Sequence, residues 1–250
     1  MILTIGWREL RSLFLSPLAW AILAVVQLIL GYMFLGHIEQ YLIWQSRLLG
    51  MEGAPGLTEI VVAPLFGNAA IVLLLVVPLI TMRLISEERR NRTLSLLFSA
   101  PISMTEIILG KYLGILFFLF IVLLMITLMP LSLLVGGKLD FGLLASGFIG
   151  LGLLLASFAA VGLFMSTLTQ HSTVAAIGSF GILLLFWILD ISGGQSSEDG
   201  NMLSYLSLLN HYEPFLRGIF DSTDAVYLLL FIITFLVMSI RRLDADRLTG

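Results

Sequence analysis

The sequence predicts an all-α, polytopic integral membrane protein, and three observations carry that prediction. Of 250 residues, 59% are hydrophobic and only 12% are charged, a balance far outside that of soluble domains. Mean hydropathy is +1.06. Apolar runs long enough to cross a hydrocarbon core, which takes about 20 helical residues, recur near 17–36, 64–83, 112–135, 141–166, 173–190 and 225–240. The runs are continuously apolar and lack the alternation of a membrane β-barrel, so six transmembrane helices are expected within a single domain over 1–250.

The stretch 2–14 sets Ile2, Ile5, Trp7, Leu10, Leu13 and Phe14 against Thr4, Arg8, Glu9, Arg11 and Ser12, and Pro17 separates it from the first span. That pattern predicts an N-terminal interfacial helix in preference to an extension of the span. The first run resembles a signal peptide in following Arg8 and Arg11, but no Ala-x-Ala-like site ends it, so a retained span is expected. Residues 37–63 are punctuated by Gly50, Gly53, Pro55 and Gly56 and predict a short helix followed by an irregular outer loop.

The fourth span carries Gly142, Ser146 and Gly150, then Gly152, Ala156 and Ala160, at four-residue spacing. Small residues on one stripe let helix backbones approach closely, and packing within the bundle is the expected role. Between spans five and six, Leu203, Leu206, Leu209, Tyr212, Leu216 and Ile219 recur every three to four residues. This predicts a re-entrant-like outer segment over 201–222, made of one or two short helices broken near Pro214. Glu213 and Arg217 in it are spaced to pair one turn apart.

Orientation follows from the basic residues. With the N-terminus inside, all 13 Lys and Arg except Arg47, Lys138 and Arg217 fall on the cytoplasmic side, so both termini are expected to be cytoplasmic. Trp20, Tyr112, Tyr41, Trp44 and Trp187 stand near span ends, where aromatic anchors belong. The formal charge of -3 implies no nucleic-acid surface. The absence of cysteine excludes disulfides and thiol chemistry.

The residues that membrane catalysis or ion coupling would use are missing from the runs, which contain no midplane carboxylate. His37, His171 and His211 fall in different segments on both sides, and no metal site or catalytic cluster is expected. Gly110-Lys111 is not a phosphate loop, since Thr105 and Tyr112 occupy the positions of its first Gly and its Ser or Thr. Any ATP and magnesium would be bound by another chain.

The inner segment 84–111 holds the densest basic cluster, Arg89, Arg90 and Arg92 just after Arg83. Ser86 can cap a helix whose first turn carries Glu87 and Glu88. Leu94, Leu97 and Phe98 share a face, Pro101 breaks the run, and Ser103 with Glu106 matches a capping box that opens span three. A solvated connector and a docking surface fit this pattern equally well.

At these residues the chain resembles the permeases of ABC-2 type transporters. The likeness is carried by Thr81-Met82-Arg83, Ser86-Glu87-Glu88-Arg89-Arg90, Thr93-Leu94, Pro101-Ile102-Ser103 and Ile107-Ile108-Leu109-Gly110-Lys111. Arg8-Glu9-Leu10 with Ser16-Pro17, His211-Tyr212-Glu213-Pro214-Phe215 with Arg217-Gly218, and Tyr227 before Arg241-Arg242-Leu243 extend it over most of the chain. It is closest to the branch of the gliding-motility permease GldF and the copper-processing permease NosY. One departure is Arg92, where the family commonly has Gly before the Thr of the loop.

The resemblance implies a permease without its own nucleotide site, in a bacterial inner membrane, working as a dimer with a second copy or a paralogue and with a cytosolic ABC ATPase. Residues 84–111 would be the coupling loop, with Glu87, Glu88, Arg89, Arg90, Arg92, Thr93, Leu94, Leu97, Phe98 and Pro101 meeting the ATPase. Tyr212, Glu213, Pro214 and Arg217 would form an outer gate. A periplasmic or membrane auxiliary subunit is a further expected partner. The alternative is a mechanical anchor in which ATPase strokes reshape an envelope assembly with no substrate crossing.

Overall fold

The computed structural model describes residues 1–48, 56–93, 103–135, 139–193 and 205–249. Among them the regular structure is entirely helical. The α-helices are α1 (Ile2–Leu15), α2 (Pro17–Leu48), α3 (Ala63–Thr81), α4 (Ser86–Arg90), α5 (Met104–Leu131), α6 (Phe141–Leu168), α7 (Ser172–Gly193), α8 (Leu208–Leu216) and α9 (Ser222–Thr249). A π-helical turn, Thr58–Val62, leads into α3, and a 3-10 turn, Ser132–Val135, follows α5.

Among the described residues, six helical stretches are long and apolar enough to span a bilayer: Pro17–Trp44, Thr58–Arg90, Met104–Leu134, Phe141–Leu168, Ser172–Leu189 and Ser222–Leu248. Each predicted apolar run maps onto one of them. Several helices overrun their apolar runs, because a helix continues while its backbone bonds can form and ends only at a cap or breaker. Thus α2 runs on to Leu48 where a separate short helix was expected, and His37 Nε2 lies 3.0 Å from Asn68 Nδ2 on α3. The Ser103–Glu106 capping box forms as predicted and starts α5 at Met104, so 104–111 extend the third span rather than the loop.

The core sits in spans two, three and four. Half or more of their most apolar windows is buried, against 28% for α2 and 22% for α7 and for α9. On α2 a single stripe of Ala19, Leu23, Val26, Leu30 and Phe34 faces inward, while Leu28, Tyr32 and Leu35 are exposed. The central helix is α6, which packs against α3, α5, α7, α8 and α9. Its small residues pack within the bundle: a Cβ on Gly150 would run into the Phe215 side chain, and one on Gly162 into the Thr81 hydroxyl. Side chains from α8 and α3 fill the space that these glycines leave.

Candidate functional site

The segment between spans two and three is held by its surroundings from its first residues. Ser166 Oγ on α6 accepts from the backbone N–H of Ile85 (2.9 Å) and Ser86 (3.0 Å) and donates to the Met82 carbonyl (3.0 Å). Ser86 is not the cap the sequence suggested. It is the first helical residue of α4, and its hydroxyl donates back to the Met82 carbonyl at 2.5 Å and lies 3.1 Å from Ser172 Oγ on α7. Ser166 takes the capping role because it can reach two N–H groups at once, whereas the Ser86 hydroxyl turns toward the preceding turn.

At five residues, α4 is too short to be stable alone. Its end is closed by a Schellman arrangement: Arg92 N–H bonds to the Arg89 carbonyl (3.2 Å) and Thr93 N–H to the Glu88 carbonyl (3.0 Å). The motif needs a left-handed residue after the cap, and Arg92 supplies it at φ 56°, the only such non-glycine among the described residues. This gives the Gly expected before Thr93 a physical reason, since glycine adopts that backbone without a Cβ penalty.

Two neighbouring charges of α4 are drawn in opposite directions. Glu88 lies 2.8 Å from Lys111 Nζ on α5, and Lys111, only 2% exposed, also meets Glu9 of α1 at 3.3 Å. Arg89 pairs with Asp246 in the last turns of α9, and Arg242 lies 3.6 Å from the same carboxylate. Arg83 and Glu87 form a looser pair at 3.8 Å, and Arg90 is exposed. Of the ten expected contact residues, the structure thus places Glu87, Glu88, Arg89, Arg90, Arg92 and Thr93 at one end of the bundle, the end that also holds α1 and the close of α9. Leu94, Leu97, Phe98 and Pro101 lie outside the described residues.

Sequence reasoning missed Lys111, Glu9 and Asp246. A legible signal was present: Gly110-x-x-x-Gly114 is a small-residue helix contact. A Cβ on Gly110 would lie 2.7 Å from Ile5 Cβ, one on Gly114 2.7 Å from Glu9 Cβ, and one on Gly6 3.1 Å from the Gly110 carbonyl. The backbones of α1 and α5 therefore touch, and this closeness sets Glu9 beside Lys111.

At the opposite end, α8 runs through Pro214 in its last turns rather than breaking there. It ends one turn later in a second Schellman motif, with Gly218 at φ +79°. Tyr212 is fully buried, donates to the Phe66 carbonyl at 3.0 Å, and has its phenol pKa raised by burial. It acts as a strut between α8 and α3. Glu213 and Arg217 form the predicted (i, i+4) pair at 2.5 Å on the surface. These residues, with Glu59, Asn68 and Trp187, border a recess of about 450 Å³ with a mainly apolar lining. Nearby, His211 packs against α9: Nε2 donates to the Tyr205 carbonyl (2.8 Å), Nδ1 lies 2.6 Å from Asp224 Oδ1, and the ring stacks on Tyr227.

Among the described residues no group of His, Cys, Asp and Glu could hold a metal. A family model described as ABC-2 family transporter protein matches residues 3–248. The chain belongs to this family. No curated protein matches it. Membership makes the chain a multi-pass membrane protein of an ABC transporter, and the six spanning helices agree.

Proposed function

We propose that the chain is the permease subunit of an ATP-driven ABC transporter, acting in a bacterial inner membrane with a separate cytosolic ATPase that binds ATP and magnesium. Family membership over residues 3–248 carries this reading. The segment between α3 and α5, 84–103, is the ATPase-coupling loop, a role supported by the direct ties of α4 to α5, α6, α7 and α9 while Arg90 faces outward. Both termini lie on the cytoplasmic side. Leu3 and Trp7, exposed on α1 beside Arg8 and Arg11, suit a helix at the inner leaflet.

Two permease copies, or this chain and a paralogue, form the working unit, and the little-buried α2 and α7 offer the faces through which they meet. The branch with the gliding-motility and copper-processing permeases is the favoured placement. Glu213 and Arg217, exposed at the rim of the outer recess, act with Pro214 and the buried strut Tyr212 as an outer gate, and an auxiliary subunit would bind on that side.

Replacing Leu97 and Phe98 together with Asp tests the docking. Charge buried without a partner at an interface costs about 2 to 5 kcal/mol, so the ATPase should bind about 30-fold more weakly or worse. Retention of the ATPase at the wild-type level through co-purification, with the permease still membrane-inserted, would remove the coupling-loop assignment.

A further inference from the structure

The ion pairs around α4 are poorly explained as stabilisers. Burying ions carries a desolvation penalty that their attraction often fails to recover, and a well-packed apolar residue commonly does as well or better. Lys111 stands at 2% exposure on a helix whose following residues to Leu131 carry no charge, a place where uncharged side chains at 9, 88 and 111 together would pack without that penalty. What an ion pair supplies instead is a directed link between two elements.

The links here are distributed in a particular way. Glu88 reaches α5 through Lys111, and Lys111 reaches α1 through Glu9. Arg89, the next residue, reaches α9 through Asp246. Contacts with α6 and α7 are made instead by the hydroxyls of Ser166 and Ser172. A five-residue helix with no stability of its own therefore moves only with what it is tied to. Its charged ties lead to the third and sixth spans and to the N-terminal helix.

We infer that Lys111 and Asp246 are positioning residues for coupling: they pass displacement of α4 to α5 with α1 on one side and to α9 on the other, so that movement of the loop changes the separation of spans three and six. This deepens the proposed function and rests on its reading of α4 as part of the coupling loop. The side chains of Glu88, Arg89 and Asp246 are each no more than a fifth exposed, so the ties are shielded from solvent and salt.

The test uses the full permease with its co-purified ATPase in lipid nanodiscs. The chain has no cysteine, so spin labels can be placed at Leu128→Cys on α5 and Val226→Cys on α9, both exposed positions in the half of the bundle away from α4. The label-to-label distance is measured without nucleotide and with ATP and magnesium. The wild-type pair should shift on ATP addition. Lys111→Met and Asp246→Asn should each lose most of that shift while retaining ATPase binding and ATP hydrolysis, and Lys111→Arg and Asp246→Glu should restore it.

Thermal unfolding midpoints separate this role from a structural one: the triple variant Glu9→Gln, Glu88→Gln, Lys111→Met removes the cluster's charges together and leaves none unpaired, so it should keep the midpoint within a few degrees of wild type while losing the shift. A full wild-type shift in both neutral variants would overturn the inference, as would an absent shift in the wild-type complex. Loss of ATPase binding in Asp246→Asn would overturn it too, by making the residue a docking element. Failure of the coupling-loop reading would instead appear as ATPase retention by the Leu97 and Phe98 variant.

Discussion

Arg92 shows how one backbone angle can explain a residue preference. The Schellman closure of α4 places it at φ 56°, where a Cβ costs about 1 to 2 kcal/mol. Glycine would avoid that strain but would lose about 0.5 to 1 kcal/mol through the greater freedom of the unfolded chain. Arg92→Gly should therefore stabilise the α4 terminus by about 0.5 to 1 kcal/mol, slowing hydrogen exchange at the amides of residues 92 and 93 roughly two- to fivefold. Gly218→Ala should act in the opposite direction at the end of α8, where φ is +79° and the same motif already has its glycine. Exchange at residue 92 unchanged or faster in Arg92→Gly would show that the left-handed turn is not what limits local stability.

Among the elements, α8 is held most specifically. Its buried face of Leu208, His211, Tyr212 and Phe215 fits the amphipathic pattern of the outer segment, but pattern does not say what the polar members meet. His211 bridges α8 to the first turn of α9 through Asp224 and receives Tyr227 on its ring, while the Tyr227 hydroxyl donates to the Leu206 carbonyl at 2.8 Å. Just before α9, the backbone N–H of Thr223 bonds the Asp221 carboxylate at 2.9 Å and, with the Thr223 side chain, holds its pKa below the ordinary value. His211→Phe keeps a ring for Tyr227 but removes both hydrogen bonds and leaves Asp224 unpaired, a loss of about 1.5 to 3 kcal/mol. Limited proteolysis within 205–216 should then run at least about tenfold faster. An unaltered digestion rate would assign the hold on α8 to Tyr212 and Phe215 alone.

For the whole molecule, the arrangement of ends is the informative feature. The Glu9–Lys111 and Arg89–Asp246 links put α1, α4 and the close of α9 at one end of the bundle, as an even number of spans requires. The excess of arginine at that end is what the positive-inside rule expects of a cytoplasmic face, the orientation proposed above. Single cysteines introduced at Ser95 and Ser197 should therefore label from opposite sides of sealed cells, Ser197 from outside and Ser95 only after permeabilisation. Labelling of both from one side would refute the six-span topology.

The sequence by itself determined the class, the spans and the start of α5. Hydrocarbon solvent forces every backbone polar group into local hydrogen bonds, so apolar length alone predicts a helix. Capping is equally local, and the Ser103–Glu106 box and the Glu213–Arg217 pair formed as their spacing required. Tertiary structure decided what faced what. The inner cap went to Ser166, 80 residues from Ser86, and the buried Lys111 found Glu9 and Glu88 from two other elements. Such pairings depend on how closely backbones approach, which Gly6, Gly110 and Gly114 permit, and spacing along one helix carries no record of the partner's residues. The same limit explains why the arginine cluster read in sequence as one unit, whether solvated or docking, whereas in the fold Arg89 turns inward to Asp246 and Arg90 faces outward.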